Sequence, residues 1–138
     1  MACIFCSIVA REAPAFFVYE EDDVVAFLDR GQVTEGHTLV VPTRHATDIW
    51  ALAESEASRV MAVAWRVAHM LRDSLMPLGL NVMQSNGEAA WQDVFHFHLH
   101  LIPRYANDAL VPPWRATTPT AQELDSVRAK ILERVPDV

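Results

Sequence analysis

The sequence predicts an α+β domain in which an antiparallel sheet of about five strands packs with one long helix and a short terminal helix. Short aromatic and β-branched runs, separated by polar breaks, recur as strand candidates. One apolar stripe of helical spacing fills the middle of the chain. The strands follow one another as hairpins and do not alternate with helices, which disfavours a parallel sheet. The length of 138 residues corresponds to one domain over residues 1–138.

The first three strands come before the long helix. Residues 16–19 and 24–28 are rich in aromatic and β-branched side chains, and the polar residues 20–23 between them predict a hairpin. Residues 29–36 form a loop. Residues 37–41 are a third strand, which Pro42 ends.

The remaining elements follow from periodicity and breakers. Apolar residues at i, i+4 and i+7 spacing predict a helix over residues 54–75, namely Val60, Ala64, Val67, Leu71 and Leu75. Residues 80–84 are a short strand, and residues 95–102 are the strongest strand candidate, closed by Pro103. Residues 3–104 form the core. Residues 105–138 are an extended arm with a short helix over residues 122–135.

The charge of the chain limits what it can bind. The formal net charge is −7, which argues against a basic surface for nucleic-acid polymers. The first 29 residues alone carry a balance of −5, so an anionic ligand must be held by local donors and not by the overall field. No apolar run reaches the length of a membrane span, and no signal-peptide pattern opens the chain. We therefore expect a soluble cytoplasmic protein.

The two cysteines form a single Cys-x-x-Cys unit, Cys3 and Cys6. In a reducing compartment this spacing favours a metal or redox role over a structural disulfide. A pair of unligated thiols is the alternative.

Residues 95–102 alternate apolar side chains with histidine. If this segment is a strand, His96, His98 and His100 share one face about 6–7 Å apart, and Phe95, Phe97, Leu99 and Leu101 share the face that suits a core. Three interpretations are open: a solvated polar face, a three-histidine metal site, or chemistry near neutral pH, where imidazole changes its charge.

Four segments in order resemble the histidine triad (HIT) family, in its bacterial Cys-x-x-Cys-bearing branch. Residues 96–102 match its pattern of three histidines, each followed by an apolar residue, with one more apolar residue at the end. Residues 36–45 resemble its Gly-His-x-Leu-Val-x-Pro-x-x-His stretch, residues 3–9 its start, and residues 26–29 its nucleoside-binding strand end. The resemblance covers residues 3–104 and implies a HIT-like fold.

The resemblance implies an enzyme that cleaves the α-phosphate of a nucleotide conjugate from its leaving group. His98 would attack phosphorus and form a nucleotidyl-histidine, while His100 and His37 would donate hydrogen bonds to phosphoryl oxygens. The expected substrate is a dinucleoside polyphosphate or a nucleoside phosphoramidate. A nucleotide-binding or interaction protein with little turnover is the alternative.

The resemblance also assigns a substrate site. Asp29 would accept hydrogen bonds from both ribose hydroxyls, and Phe5, Ile8 and Phe27 would line a pocket for adenine or another purine, with ordinary core packing as their alternative. The phosphate side would include Ser85, Asn86 and Gln92. Relatives usually carry glycine at the position of Trp91, so we expect altered leaving-group specificity. Some relatives place serine or threonine against the α-phosphate at the position of Asp93; a carboxylate would repel that phosphate, so we expect any contact there to come from the backbone amide.

Finally, the resemblance implies a structural zinc ion held by Cys3, Cys6, His45 and His96, a tetrahedral Cys₂His₂ set. If His96 holds zinc, the catalytic set reduces to His98, His100 and His37. A purely structural zinc protein is a further alternative, but it leaves those three histidines without a task. Family members are homodimers. The expected partners are therefore a nucleotide and a second copy of the chain, with no nucleic-acid polymer and no membrane.

Overall fold

The computed structural model describes residues 3–134, which divide into two compact units between Asp108 and Ala109. The first unit contains α1 (Ile4–Val9), β1 (Phe17–Glu20), β2 (Val24–Leu28), β3 (Thr38–Pro42), α2 (Glu54–Leu75), β4 (Gly79–Met83) and β5 (Leu99–Arg104). The second contains α3 (Ala121–Leu132). No helix within residues 3–134 is both long enough and apolar enough to cross a membrane.

The five strands form one antiparallel sheet in the order β1-β2-β3-β5-β4. This confirms the predicted α+β class, the number of strands and the β1–β2 hairpin. The bounds of β2 and α2 agree with the prediction, and β1, β3 and β4 differ from it by one residue at their ends.

The sheet is covered on both faces, so strands β2 and β3 are almost wholly buried. Alternate residues of a strand point to opposite faces. On one face Val24, Ala26, Val40 and Leu101 pack with the apolar stripe of α2, which includes Val60, Val63, Ala64, Val67 and Leu71. On the other face Val25, Phe27, Leu39 and Val41 pack with Phe5 and Ile8 of α1. The second face carries the features that matter for function.

The histidine segment differs from its prediction. Strand β5 begins at Leu99 and not at residue 95, so His96 and His98 precede the strand, and it runs through Pro103 to Arg104. Phe95, predicted for the core, is 50 % exposed. The β3–β5 ladder ends at the Val40–Leu99 pair, and the amide of Phe97 instead donates to the carbonyl of Ala46 at 2.7 Å.

Two prolines account for these altered bounds. Pro42, two residues beyond Val40, has no N–H to extend the ladder toward the histidines. Pro103 is tolerated because β5 pairs with β4 alone beyond Leu101.

Helix α1 was not among the predicted elements. Its six residues are too few to be stable alone, so burial of Phe5 and Ile8 against the sheet must hold it. Cys3 is its N-cap residue and Cys6 lies within it. The helix therefore places the cysteine pair directly beside the second face of the sheet.

The terminal helix is confirmed as α3, one residue earlier than predicted at its start; the expected end at Val135 lies outside the described residues. Its start is fixed by a capping box, in which Thr120 Oγ1 accepts from the amide of Glu123 and the Glu123 carboxylate accepts from the amide of Thr120.

Candidate functional site

A cavity of about 200 Å³ opens on the second face of the sheet, beside the ends of β2 and β5. Its wall combines apolar side chains of α1 and β2 with a titratable rim. The rim contains Asp29, Arg30, Asp93, His98 and His100. The structure thus brings together residues that lie far apart in the sequence.

His98 is buried at 3 % exposure, and its hydrogen bond defines which ring nitrogen carries the proton. Its Nδ1 lies 2.7 Å from the carbonyl oxygen of His96, a geometry in which Nδ1–H donates to that oxygen. The neutral ring then carries its lone pair on Nε2. The edge of the Phe5 ring packs against it at 5.1 Å between centroids, which fixes the orientation of the imidazole.

His37 and His100 form a relay of hydrogen bonds. The amide of Val33 approaches His37 Nδ1 at 3.5 Å, and His37 Nε2 lies 2.9 Å from His100 Nδ1. Because Nδ1 of His37 accepts, its Nε2–H donates to His100, and the remaining N–H of His100 is on Nε2. His37 was predicted to donate to phosphate directly. In this arrangement its ring N–H donates to His100 instead.

Burial keeps this relay neutral. Desolvation lowers the pKa of His100 to about 4, with smaller contributions from the neighbouring His98 and His37. Desolvation also lowers the pKa of His37, against the opposing effect of Asp29. Both rings are therefore uncharged near pH 7, so they can act as hydrogen-bond donors but not as fixed positive charges.

Asp29 is the first residue after β2, on the rim of the cavity. Its Oδ1 accepts from the amide of Gly31 at 2.8 Å, and its Oδ2 lies 3.6 Å from His37 Nε2. The backbone amide of Asp29 donates to the carbonyl of His37 at 2.9 Å, which ties the two residues together. The carboxylate is 26 % exposed and can accept further hydrogen bonds from a ligand.

Phe5, Ile8 and Phe27 form the apolar part of the wall. All three are nearly buried, and the Phe5 and Phe27 rings meet edge to face at 5.5 Å. The same side chains pack in the core and line the cavity, so core packing does not exclude a contact with a ligand.

Ser85, Asn86 and Gln92 lie outside the wall of the cavity. Asn86 Oδ1 accepts from the amide of Ile49 at 2.7 Å. Gln92 is buried, accepts from the amide of Gly87 at 2.8 Å, and donates to two carbonyls, those of Thr47 and Val94. The Gln92 amide thus has no donor left for a ligand, and both side chains shape the loop that precedes the histidines.

Asp93, which the sequence marked as a departure from the family pattern, lies in the wall of the cavity. Its Oδ1 caps the amide of Val94 at 2.8 Å and lies 3.7 Å from Nε2 of His98, and its side chain is 80 % exposed. A carboxylate beside a nucleophilic nitrogen disfavours the approach of an anion. The sequence indicated this residue, because the charged Asp93 lies five positions before His98 and just ahead of the histidine segment.

A second cluster lies behind His98 and consists of Cys3, Cys6, His45 and His96, whose ligand atoms all lie within 4.8 Å of one another. The Sγ atoms of both cysteines lie 3.4–3.5 Å from histidine Nδ1 atoms, and the two Nδ1 atoms are 3.2 Å apart. A tetrahedral zinc ion needs separations of about 3.3–3.6 Å between such donors. The two cysteines are free thiols.

The surroundings of this cluster suit a metal. His96 Nε2 lies 2.8 Å from the carbonyl oxygen of Pro42, which assigns the proton to Nε2 and leaves Nδ1 as a ligand. Burial, with Cys3 adjacent, raises the pKa of the Cys6 thiol and disfavours the thiolate, an effect that a bound cation would offset. The residues present therefore fit a closed tetrahedral zinc site, as the sequence suggested.

The comparisons with known proteins agree with this geometry. A HIT domain profile matches residues 10–107. The structure resembles the crystal structure of a HIT family member from Bacillus subtilis over 100 % of both chains, with a TM-score of 0.94 and 37 % identity.

Two further crystal structures are similar. A histidine triad nucleotide-binding protein from Candida albicans has a TM-score of 0.86 and 31 % identity over 96 % of both chains. A zinc-bound histidine triad family protein from Mycobacterium smegmatis has a TM-score of 0.76 and 35 % identity over 96 % of this chain and 95 % of that one. The extent of these matches, together with the order of the motifs and the arrangement of the histidines, shows that the chain belongs to the HIT domain family.

Proposed function

We propose that the protein is a nucleotide hydrolase or transferase that cleaves the α-phosphate of a nucleotide conjugate through a nucleotidyl-histidine on His98. The observation that carries this proposal is the hydrogen bond between Nδ1 of His98 and the His96 carbonyl, which leaves an unprotonated Nε2 on the cavity rim. A neutral imidazole is a nucleophile that needs no deprotonation near pH 7.

The reaction has two displacements at phosphorus. In the first, Nε2 of His98 forms a bond to the α-phosphorus as the bond to the leaving group breaks. In the second, water or another acceptor attacks the same phosphorus and releases a proton to solvent, the N–P bond breaks, and its electron pair returns to Nε2. The Nε2–H of His100 is the protein donor for the phosphoryl oxygens, and His37 orients that ring through the 2.9 Å hydrogen bond.

The nucleoside would be held by the rest of the cavity. We propose that Asp29 binds the ribose hydroxyls and that Phe5, Ile8 and Phe27 contact adenine or another purine. The partly exposed Asp29 carboxylate and the apolar wall support this assignment, and the similar protein from Candida albicans is a histidine triad nucleotide-binding protein. Ser85, Asn86 and Gln92 would act by shaping the loop near the phosphate, because the structure gives Asn86 and Gln92 backbone partners.

Turnover of two substrates tests the proposal. Adenosine phosphoramidate and diadenosine polyphosphates are incubated with the wild type and with His98→Ala, and the released AMP is measured. His69→Ala is the matched control, since His69 lies on α2 and its ring packs against Trp65, outside the cavity wall. We expect His69→Ala to retain turnover and His98→Ala to lose nearly all of it.

Two results would contradict the enzyme assignment. If neither substrate is cleaved but AMP binds, the chain is a nucleotide-binding protein with little turnover, which is the alternative that the sequence left open. If His98→Ala cleaves as fast as the wild type, another group is the nucleophile.

We also propose that Cys3, Cys6, His45 and His96 hold a structural zinc ion. The donor separations and the hydrogen bond from His96 Nε2 to the Pro42 carbonyl support it. A zinc ion there would connect α1, through Cys3 and Cys6, to the histidine segment, through His96. Protein prepared without a metal-affinity column should retain zinc in this cluster, and Cys3→Ser should remove it. Less than about half an equivalent of zinc in the wild type would argue against the site.

We further propose a cytoplasmic homodimer. The outer side of α2 exposes Met61 and Trp65, at 54 % and 62 %, and β4 has a free edge at the end of the sheet. Exposed apolar residues of this size mark interaction surfaces in soluble proteins. Light scattering should give twice the chain mass for the wild type and a lower mass for Trp65→Glu, and a monomeric wild type would refute the dimer.

A further inference from the structure

We propose that Asp29, His37 and His100 form a second divalent-metal site, of the zinc type, at the mouth of the cavity, and that an ion there excludes the nucleotide. These three residues offer one ligand atom each, all within 4.8 Å of one another. They share no residue with the cysteine-containing cluster. Only the exclusion of nucleotide rests on the proposed function; metal binding does not.

The distances suit one ion. His37 Nε2 and His100 Nδ1 are 2.9 Å apart, and His37 Nε2 and Asp29 Oδ2 are 3.6 Å apart. Donors on a tetrahedral zinc ion are separated by about 3.3–3.4 Å, so both separations need adjustments of only a few tenths of an ångström. Two imidazoles and one carboxylate are also the ligands of zinc sites that keep a fourth position open.

The outer contacts of the cluster orient two of the three ligands. Asp29 Oδ1 accepts from the amide of Gly31 at 2.8 Å, which leaves Oδ2 directed toward His37. The amide of Asp29 donates to the His37 carbonyl and holds the two residues in register. Such partners normally accompany metal ligands and strengthen binding.

Metal binding requires one proton to move. The proton that lies between His37 Nε2 and His100 Nδ1 must leave, and it can transfer to Nδ1 of His37, so that the ring stays neutral. In exchange, Nδ1 of His37 gives up its hydrogen bond from the Val33 amide, which is weak at its distance of 3.5 Å. The 2.9 Å hydrogen bond between the two rings is lost as well, and two metal–nitrogen bonds replace it.

The charges at the rim favour a cation. Asp29 and Asp93 are the carboxylates of the cavity wall, and Arg30 is its one guanidinium group among the described residues. A cation on these three residues would occupy the Asp29 carboxylate that is proposed to bind the ribose. It would also break the hydrogen bond between His37 and His100 that is proposed to orient the donor to phosphate. Metal and nucleotide should consequently compete for the same atoms.

Zinc stoichiometry tests the site. Chelator-treated protein is titrated with Zn²⁺ and followed by native mass spectrometry and calorimetry. The wild type should bind two equivalents, the tighter one at the cysteine cluster. Asp29→Asn keeps the shape of the side chain but should weaken the second equivalent about tenfold or more. Asp93→Asn is the matched control, since it removes the same charge from the same wall but leaves all three ligands in place, so its smaller effect measures the rim charge alone.

Cobalt and AMP separate the two sites. Co²⁺ in the cysteine cluster should show thiolate charge-transfer absorption, whereas the second equivalent should add none. AMP should displace the second equivalent alone. A wild type that binds Zn²⁺ only in the cysteine cluster, or an Asp29→Asn variant that still binds two equivalents with unchanged affinity, would overturn the metal site. A second equivalent that AMP does not displace, in protein shown to bind AMP, would overturn the exclusion of nucleotide. Because binding is measured without turnover, loss of this site leaves the proposed function standing, and failure of catalysis leaves the site testable.

Discussion

Four histidines in this molecule differ in function because the second nitrogen of each ring has a different partner. In His96 the Nε2–H donates to the Pro42 carbonyl, so Nδ1 faces the cysteine cluster without a proton. In His98 the Nδ1–H donates to the His96 carbonyl, so Nε2 faces the cavity without a proton. His37 and His100 are joined to each other. A reversed tautomer at His98 would remove the nucleophile without moving an atom heavier than hydrogen.

At the same scale, Asp93 should slow the reaction of any anionic substrate. Its Oδ1 lies 3.7 Å from Nε2 of His98, where the phosphoryl group must approach. Repulsion between unit charges at about 4 Å in a hydrated site is about 1 kcal/mol. Asp93→Asn should therefore raise kcat/KM about fivefold, most clearly at low salt. Asp73→Asn on α2 is the control, and an unchanged or lower kcat/KM in Asp93→Asn would contradict the repulsion.

The buried His100 makes stability depend on pH. Its pKa is about 4 in the folded chain, against an ordinary value of 6.5. As the pH falls from 6.5 to 4, the unfolded chain takes up a proton that the folded chain does not, so the free energy of unfolding decreases. The free energy of unfolding is measured by urea denaturation at about pH 7.5 and about pH 5, with chelator present throughout. Between these two pH values it should decrease more for the wild type than for His100→Asn. Equal losses would count against a neutral, desolvated ring.

At the scale of elements, α1 joins the two clusters of the molecule. Cys3 and Cys6 belong to the cysteine cluster, whereas Ile4, Phe5 and Ile8 line the cavity. The Phe5 ring lies 5.9 Å from that of His96 and 5.1 Å from that of His98. A six-residue helix has little stability of its own. A zinc ion in the cysteine cluster would therefore help to hold Phe5 and Ile8 in the wall of the cavity.

The turn into β3 depends on Gly36. This residue has a φ of +90°, and a Cβ there would clash with Leu75 of α2 and lie 3.2 Å from Pro103 Cγ. Gly87 has a φ of +85° but has open space around a Cβ. We expect Gly87→Ala to cost about 1–2 kcal/mol of unfolding free energy for the backbone alone. Gly36→Ala should cost about 2–4 kcal/mol, because the clash adds to the backbone cost.

Chemical denaturation of the two alanine variants measures the difference. Equal losses would show that the packing between the β3 turn and the end of α2 relaxes freely. A larger loss for Gly87→Ala would mean that the loop before the histidines, and not the β3 turn, is the more tightly constrained.

The elements also show why some predictions from sequence succeeded and others failed. The bounds of α2 were predictable because its apolar spacing repeats, and those of β2 because a continuous apolar run lies between polar residues. The histidine segment alternates as a strand does, yet its first half leaves the ladder, since Pro42 cannot donate the next hydrogen bond. Helix α1 was missed because six residues hold too little periodicity to be recognised.

At the scale of the whole molecule, the fold brings distant parts of the chain to one face of the sheet. The cysteine cluster joins residue 3 to residue 96, and the relay joins residue 37 to residue 100. The resemblance to the HIT family predicted which residues belong together. It did not predict that both N–H groups of the Gln92 side chain donate to backbone carbonyls, or that His37 contacts His100. Those facts depend on side-chain geometry, which local sequence does not encode.

The proposed mechanism requires His98 to carry the nucleotide during turnover, and a rapid-quench experiment detects that intermediate directly. Wild-type protein is mixed with a diadenosine polyphosphate that carries its label on the adenine, and the reaction is quenched in alkali, which preserves a phosphorus–nitrogen bond. The protein is then digested, and its peptides are analysed by mass spectrometry. We predict AMP on the peptide that contains His98, formed before free AMP appears and absent in His98→Ala. Label on a different residue, or product formed by the wild type with no labelled peptide at any quench time, would contradict a nucleotidyl-histidine on His98.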